Sequence, residues 1–150
     1  MKALVLYGTK HGNTGKVAQA IAAGLKEGGL ETVECRTLAT SEEEDFRGKD
    51  LWVLGIPTHY GSVPFRFSVL LKSALKEDHE GVRAAVFDTR MKDFPIGAEA
   101  KLRKILEKKG KTVIADASFV VVGMRGPLLE GEEERARLFG KEIADSMLKN

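Results

Sequence analysis

The chain has 150 residues, 43% of them hydrophobic, with 24 Lys/Arg against 22 Asp/Glu and a formal net charge of +2. That length fits one domain with a single substantial core, and no apolar run approaches the about eighteen residues that would cross a bilayer. Charge is spread evenly, nine basic against eight acidic residues in 1–75 and fifteen against fourteen in 76–150, so the basic stripe of a nucleic-acid binder is missing.

The opening MKALVLYG turns polar too soon for a signal peptide and reads as a first strand, ALVLY at 3–7. A lone cysteine, Cys35, provides neither an internal disulfide nor a metal cluster, which makes a reducing cytoplasm the expected compartment. Val17, Ile21 and Leu25 recur at i, i+4, i+8 and predict an amphipathic helix that stops at Gly28-Gly29. ETVECRTL (31–38) alternates weakly, as an edge strand does, and the acidic block from Glu42 to Asp45 is expected to be a solvated loop. LWVLGIP (51–57) is apolar throughout and ends at a proline; a second helix follows from about Pro64 to Leu75, with proline tolerated in its first turn. His79, inside KEDHEG, is expected to face solvent.

VRAAVFD (82–88) is the next buried strand, and Ala98, Leu102, Ile105 and Leu106 predict a third helix ending near Gly110. The segment from Thr112 to Val122 holds the last strand, with a break expected around Asp116. Ala136, Phe139, Ile143 and Met147 predict a final helix beginning at Glu130 or Glu132, where acids suit the helix dipole. Strands that are apolar throughout, separated by helices, imply a parallel sheet covered on both faces. Five strands and four helices make a doubly wound α/β fold, a three-layer αβα sandwich forming one domain over 1–150. Its site belongs outside the carboxyl ends of the strands, where the strand order reverses. The loops after Tyr7, Ile56 and Asp88 are therefore the informative ones.

The first of them, in LYGTKHGNTGK (6–16), packs Thr9, Lys10, His11, Gly12, Asn13 and Thr14 between a strand and a helix. Free backbone N–H groups and the helix dipole favour an anion there, and Gly12 lets backbone approach closely. Asn13 or Thr14 can also cap the helix, but a cap needs one such residue rather than four. A Walker loop is excluded because Gly15-Lys16 is followed by Val17, and the dinucleotide G-x-G-x-x-G spacing is absent. A compact, hydroxyl-rich turn suits a terminal phosphate monoester, such as a mononucleotide cofactor carries.

YGTKHGNT (7–14) resembles the phosphate loop of the flavodoxin family, GIPTHYGSVP (55–64) its second loop, and FDTR (87–90) stands where its third would be. The likeness covers the whole chain and is of the short-chain type, and it implies strand order 2-1-3-4-5, for which flavodoxin is a standing example of the switch-point rule. It also implies FMN as cofactor. Phosphate contacts would fall to Thr9, Asn13 and Thr14, with backbone N–H groups from Lys10 to Thr14. Pro57, Thr58, His59, Tyr60 and Gly61 would line the ring, with Tyr60 stacked on it. Gly61 matches the glycine whose peptide reorients when the flavin N5 gains a proton. Asp88, Thr89, Arg90 and Phe94 complete the implied cofactor-binding set. The chain also departs from the family. His11 replaces a hydroxyl, the third loop reads DTRMKDF, so that Met91 or Phe94 covers the ring or nothing does, and the mildly basic charge contrasts with acidic relatives.

The function this implies is electron transfer between a reductase and an acceptor through transient contacts with redox partner proteins. The other reading is an FMN-dependent oxidoreductase of the same fold, of quinone-reductase or porphyrinogen-oxidising type, which needs a second-substrate pocket over the ring. Cations favour the reduced flavin anion, so His59 and Arg90 are expected to make this flavin less strongly reducing. A signalling receiver is disfavoured, since it wants acids after the first strand and an aspartate after the third, where Tyr7-Gly8-Thr9 and Pro57-Thr58 stand. No catalytic triad, paired carboxylates or metal-ligand spacing is visible in the sequence. GMRGPLLEGE (123–132) turns at Gly126-Pro127, either as a connection and cap or as a lid or partner contact.

Overall fold

The computed structural model describes residues 1–58, 63–95 and 97–149. Its elements in chain order are β1 (Lys2–Tyr7), α1 (Asn13–Glu27), β2 (Thr32–Thr37), β3 (Leu51–Pro57), α2 (Phe65–Ala74), β4 (Arg83–Met91), α3 (Ala98–Lys108), β5 (Thr112–Val121) and α4 (Glu132–Leu148). The strands pair in parallel in the order β2-β1-β3-β4-β5, so the chain reverses direction across the sheet between β1 and β3.

Alternation along each strand divides the core in two. Leu4, Leu6, Trp52, Leu54, Ile56, Ala84 and Val86 face α2 and α3, whereas Ala3, Val5, Tyr7, Val53, Ala85 and Phe87 face α1 and α4. On the second face the two helices meet backbone to backbone. A Cβ on Gly24 would strike the Arg137 carbonyl, and one on Gly140 would strike that of Ile21. On the first face Trp52 is fully buried, donates its indole N–H to the Phe46 carbonyl at 3.0 Å and lies edge-on to the Phe46 ring at 5.1 Å.

Three expectations are corrected here. The acidic block is not a plain loop: Glu43–Phe46 is a 3-10 turn closed by a capping box between Glu42 and Asp45, and it anchors Phe46 in the core. His79 is not a solvent residue. Its Nε2 sits 2.9 Å from the Ala74 carbonyl at the end of α2, and its ring packs edge-on to Trp52 at 4.8 Å. The last strand does not break at Asp116, because that side chain leaves the sheet for solvent and pairs with Arg103. The irregularity lies earlier: Ala84 and Ala85 pair with Val113 and Ala115, which leaves Ile114 as a bulge.

Candidate functional site

The first loop leaves β1 through Gly8 and closes on itself where the Gly12 N–H donates to the Thr9 hydroxyl at 2.9 Å. Gly12 stands at φ 87°, a left-handed conformation that glycine adopts without steric cost. α1 then begins at Asn13 with no side chain among the described residues bonded to its first N–H groups, and its backbone ladder includes the Lys16 N–H to the Gly12 carbonyl at 3.1 Å. The capping alternative is thus not the one used. Asn13 is already helical and its amide lies against Gly126, where a Cβ would be 2.6 Å from it, while the Thr14 hydroxyl is 2.7 Å from that of Thr89. The open N–H groups at this helix end face a ready anion position.

This turn contributes to the lining of a pocket that opens to solvent. Thr9, Lys10, His11, Asn13 and Thr14 line it, together with Pro57 at the end of β3, Thr58 just beyond it, and Thr89 and Arg90 of β4. Met91, Phe94, Val121 and Met124 supply an apolar wall. No carboxylate lines the pocket among the described residues, so its charge is carried by Lys10, Arg90 and, when protonated, His11.

Most of the implied site residues therefore gather in one place: Thr9, Lys10, His11, Asn13, Thr14, Pro57, Thr58, Thr89, Arg90 and Phe94 share the pocket wall. Gly12 shapes the turn through its backbone and is not part of the wall. Asp88 is not on the wall either. It is fully buried behind Thr58, whose hydroxyl it accepts, because even-numbered β4 positions face α3 and odd ones face α1. His59, Tyr60 and Gly61 lie outside the described residues. Met91, Val121 and Met124 also belong to the wall. The 123–132 segment had the right address for Met124, following the last strand at the same sheet edge, but a flexible apolar side chain in a turn gives no sequence signal.

Unbonded N–H groups at a helix start, beside apolar side chains at the switch point of a doubly wound sheet, are the arrangement of a mononucleotide-binding protein. The Flavodoxin family profile matches residues 5–139, and the chain belongs to that family. It is 26% identical to a flavodoxin of Clostridium saccharobutylicum over 159 aligned positions covering 98% of both chains. It is 27% identical to Flavodoxin 1 of Salmonella typhimurium, spanning 73% of this chain and 64% of that one. A solved flavodoxin from the domain Archaea superposes with a TM-score of 0.81 over 99% of both chains at 16% identity. Flavodoxins bind FMN and transfer electrons to partner proteins. The pocket suits that cofactor: unbonded N–H groups and hydroxyls at one end for the phosphate, apolar side chains at the other for the ring.

Proposed function

We propose that this chain is a single-domain cytoplasmic electron carrier that holds FMN with its phosphate on the turn from Thr9 to Thr14. The ring then lies toward Thr58, Arg90, Met91 and Phe94. The observation that carries the reading is the start of α1, uncapped by any described side chain, in a pocket that no described carboxylate lines. FMN supplies the electron chemistry, and the chain contributes a dry, apolar wall and fixed cations that set the potential. His59, Tyr60 and Gly61 are assigned to the ring by family likeness alone. Exposed Lys10, Lys92 and Arg125 stand on or beside wall residues, which suits a partner presenting an acidic face around its own redox centre.

The test is a fluorescence titration of flavin-free protein with FMN and with riboflavin. FMN is expected to bind at least tenfold more tightly. Thr9→Ala, which removes the acceptor of the Gly12 N–H, should narrow that preference by about fivefold, or 1 kcal/mol, with riboflavin binding unchanged. Equal affinities for FMN and riboflavin would sink the phosphate assignment. Sustained oxidation of NAD(P)H by the purified protein with a quinone, without any partner, would replace the carrier with the enzyme reading.

A further inference from the structure

Behind the pocket wall lies a group of polar atoms centred on Asp88, which does not line the pocket. Asp88 turns into the α3 face of the sheet and is 0% exposed. Its Oδ2 accepts the Thr58 hydroxyl, and that hydroxyl oxygen accepts the Ala98 N–H at 2.8 Å, fixing Thr58 between strand and helix. Glu99, in the first turn of α3, reaches back to the same spot. A Cβ added to Gly97 would collide with Glu99 Oε2 and Asp88 Oδ2 together, so the two carboxyl groups converge where only glycine leaves room. Arg90 Nε stands 4.0 Å from Asp88 Oδ2, and the same side chain lines the pocket.

Among the described residues, the buried side-chain atoms without a hydrogen-bond partner are Asp88 Oδ1, Arg90 Nη1 and Glu99 Oε2. All three belong to this one group. Two ionised carboxylates offer each other only acceptors, and a buried acceptor without a donor costs about 1–3 kcal/mol. A single proton between them supplies the missing donor. Burial first, and then the neighbouring Asp88 carboxyl, push the Glu99 carboxyl above the ordinary glutamate range, with Arg90 acting the other way.

We infer that Asp88 and Glu99 form a proton-binding site, one proton held between two carboxyl groups, and that Arg90 ties its occupancy to the charge in the pocket. The second clause rests on the flavin reading; the first does not. Among the described residues, Arg103, a turn further along α3, is turned to Glu107 and to Asp116 of β5. Thr58, just after β3, is neutral, and the β5 residue paired with Asp88 is Ser118. The linkage follows from electrostatics. With FMN held in the pocket that Arg90 lines, its reduction by an external donor, itself oxidised, would add negative charge there. Arg90 then compensates the carboxyl pair less, and a solvent proton bonds to one of its carboxylate oxygens.

Isotope-edited infrared spectroscopy of the flavin-free protein tests the site itself. A carboxylic-acid C=O band is expected to persist above about pH 4.3, where an ordinary glutamate ionises, and it should vanish in Glu99→Gln. Absence of the band in the unaltered protein would overturn the proton site, whatever FMN does. For the linkage, FMN-loaded protein is reduced at an electrode in weak buffer with an indicator dye. It should take up more protons than Glu99→Gln at the pH where the band titrates, and the difference should disappear in Arg90→Gln. Equal uptake by the unaltered protein and Glu99→Gln would remove the linkage and leave the proton site standing. Failure of FMN to bind would overturn the function reading together with the linkage, while the infrared band still decides the site.

Discussion

Glu99 and Glu132 each sit in the first turn of a helix that follows a strand, each with an arginine close by, yet their surroundings drive them in opposite directions. At the start of α4, Glu132 accepts the Val120 N–H at 2.7 Å and two bonds from Arg135 at 2.8 Å. Its carboxyl is held below the usual glutamate range, the Arg135 hydrogen bond being the largest cause. At the start of α3, Glu99 meets another carboxyl, and its Oε2 has no partner among the described residues. The helix dipole is the same at both places. What differs is the supply of donors: α4 begins under a strand N–H and beside an arginine free to fold back, whereas Arg90 is drawn toward both the pocket and Asp88. Helix position alone therefore does not decide whether an acid is structural or poised to titrate.

Removing Asp88 should break this contrast most severely. Asp88→Ala leaves the Thr58 hydroxyl without its acceptor and Arg90 without its ion-pair neighbour, and opens a cavity in a fully buried position. A loss of about 2–4 kcal/mol is expected, a fall of roughly 5–15 °C in the Tm of the flavin-free protein. An unchanged Tm would mean that Asp88 organises nothing. Glu132→Ala comes next. It strips the Val120 N–H and the Arg135 guanidinium of their partner at the satisfied end, with about 1–2 kcal/mol expected. If chemical denaturation showed Glu132→Ala to cost more than Asp88→Ala, the ranking of the two regions would be reversed.

Arg90 sharpens the comparison through the cofactor rather than through stability. Arg90→Ala withdraws a half-buried cation from the pocket wall. The reduced flavin anion loses a favourable charge, so its potential should fall by some tens of millivolts, about 60 mV for each 1.4 kcal/mol. Redox titration of the FMN-loaded protein measures this, and an unchanged potential would place the guanidinium away from the ring.

The regular parts of the fold were legible because burial writes itself into spacing. ALVLY, LWVLGIP and VRAAVFD became the three central strands β1, β3 and β4, and the Val17–Ile21–Leu25 stripe became the buried face of α1. The phosphate turn was legible too, since hydroxyls, amide and glycine crowd into six positions. The carboxyl pair was not. Asp88 and Glu99 are eleven positions apart on different elements, and the sequence pattern ended the strand at Asp88 although β4 runs on to Met91. Nothing local shows that Gly97 lets the two meet. His79 escaped for a similar reason: charged neighbours suggested solvent, while its partner Trp52 lies on β3.

The smallest effect is also the most diagnostic of the contrast, because the two acids should tilt the pH dependence of stability in opposite ways and in different windows. The Glu132 carboxyl is lowered in the folded chain, so its contribution is complete above the unfolded value of about 4.3 and is lost as pH falls through the folded one. Glu132→Gln should flatten that acid limb. The Glu99 carboxyl is raised, so the folded chain holds the proton that the unfolded chain releases. Its contribution is complete below about pH 4.3 and is lost as pH rises through the folded value. Glu99→Gln should therefore leave stability level across that higher window, where the unaltered chain weakens with rising pH. Urea midpoints taken from pH 3 to 8 on the flavin-free proteins would show both limbs. If Glu99→Gln and the unaltered chain followed parallel curves above pH 4.3, the two carboxyl groups would not be sharing a proton. The start of α3 would then be no different in kind from the start of α4.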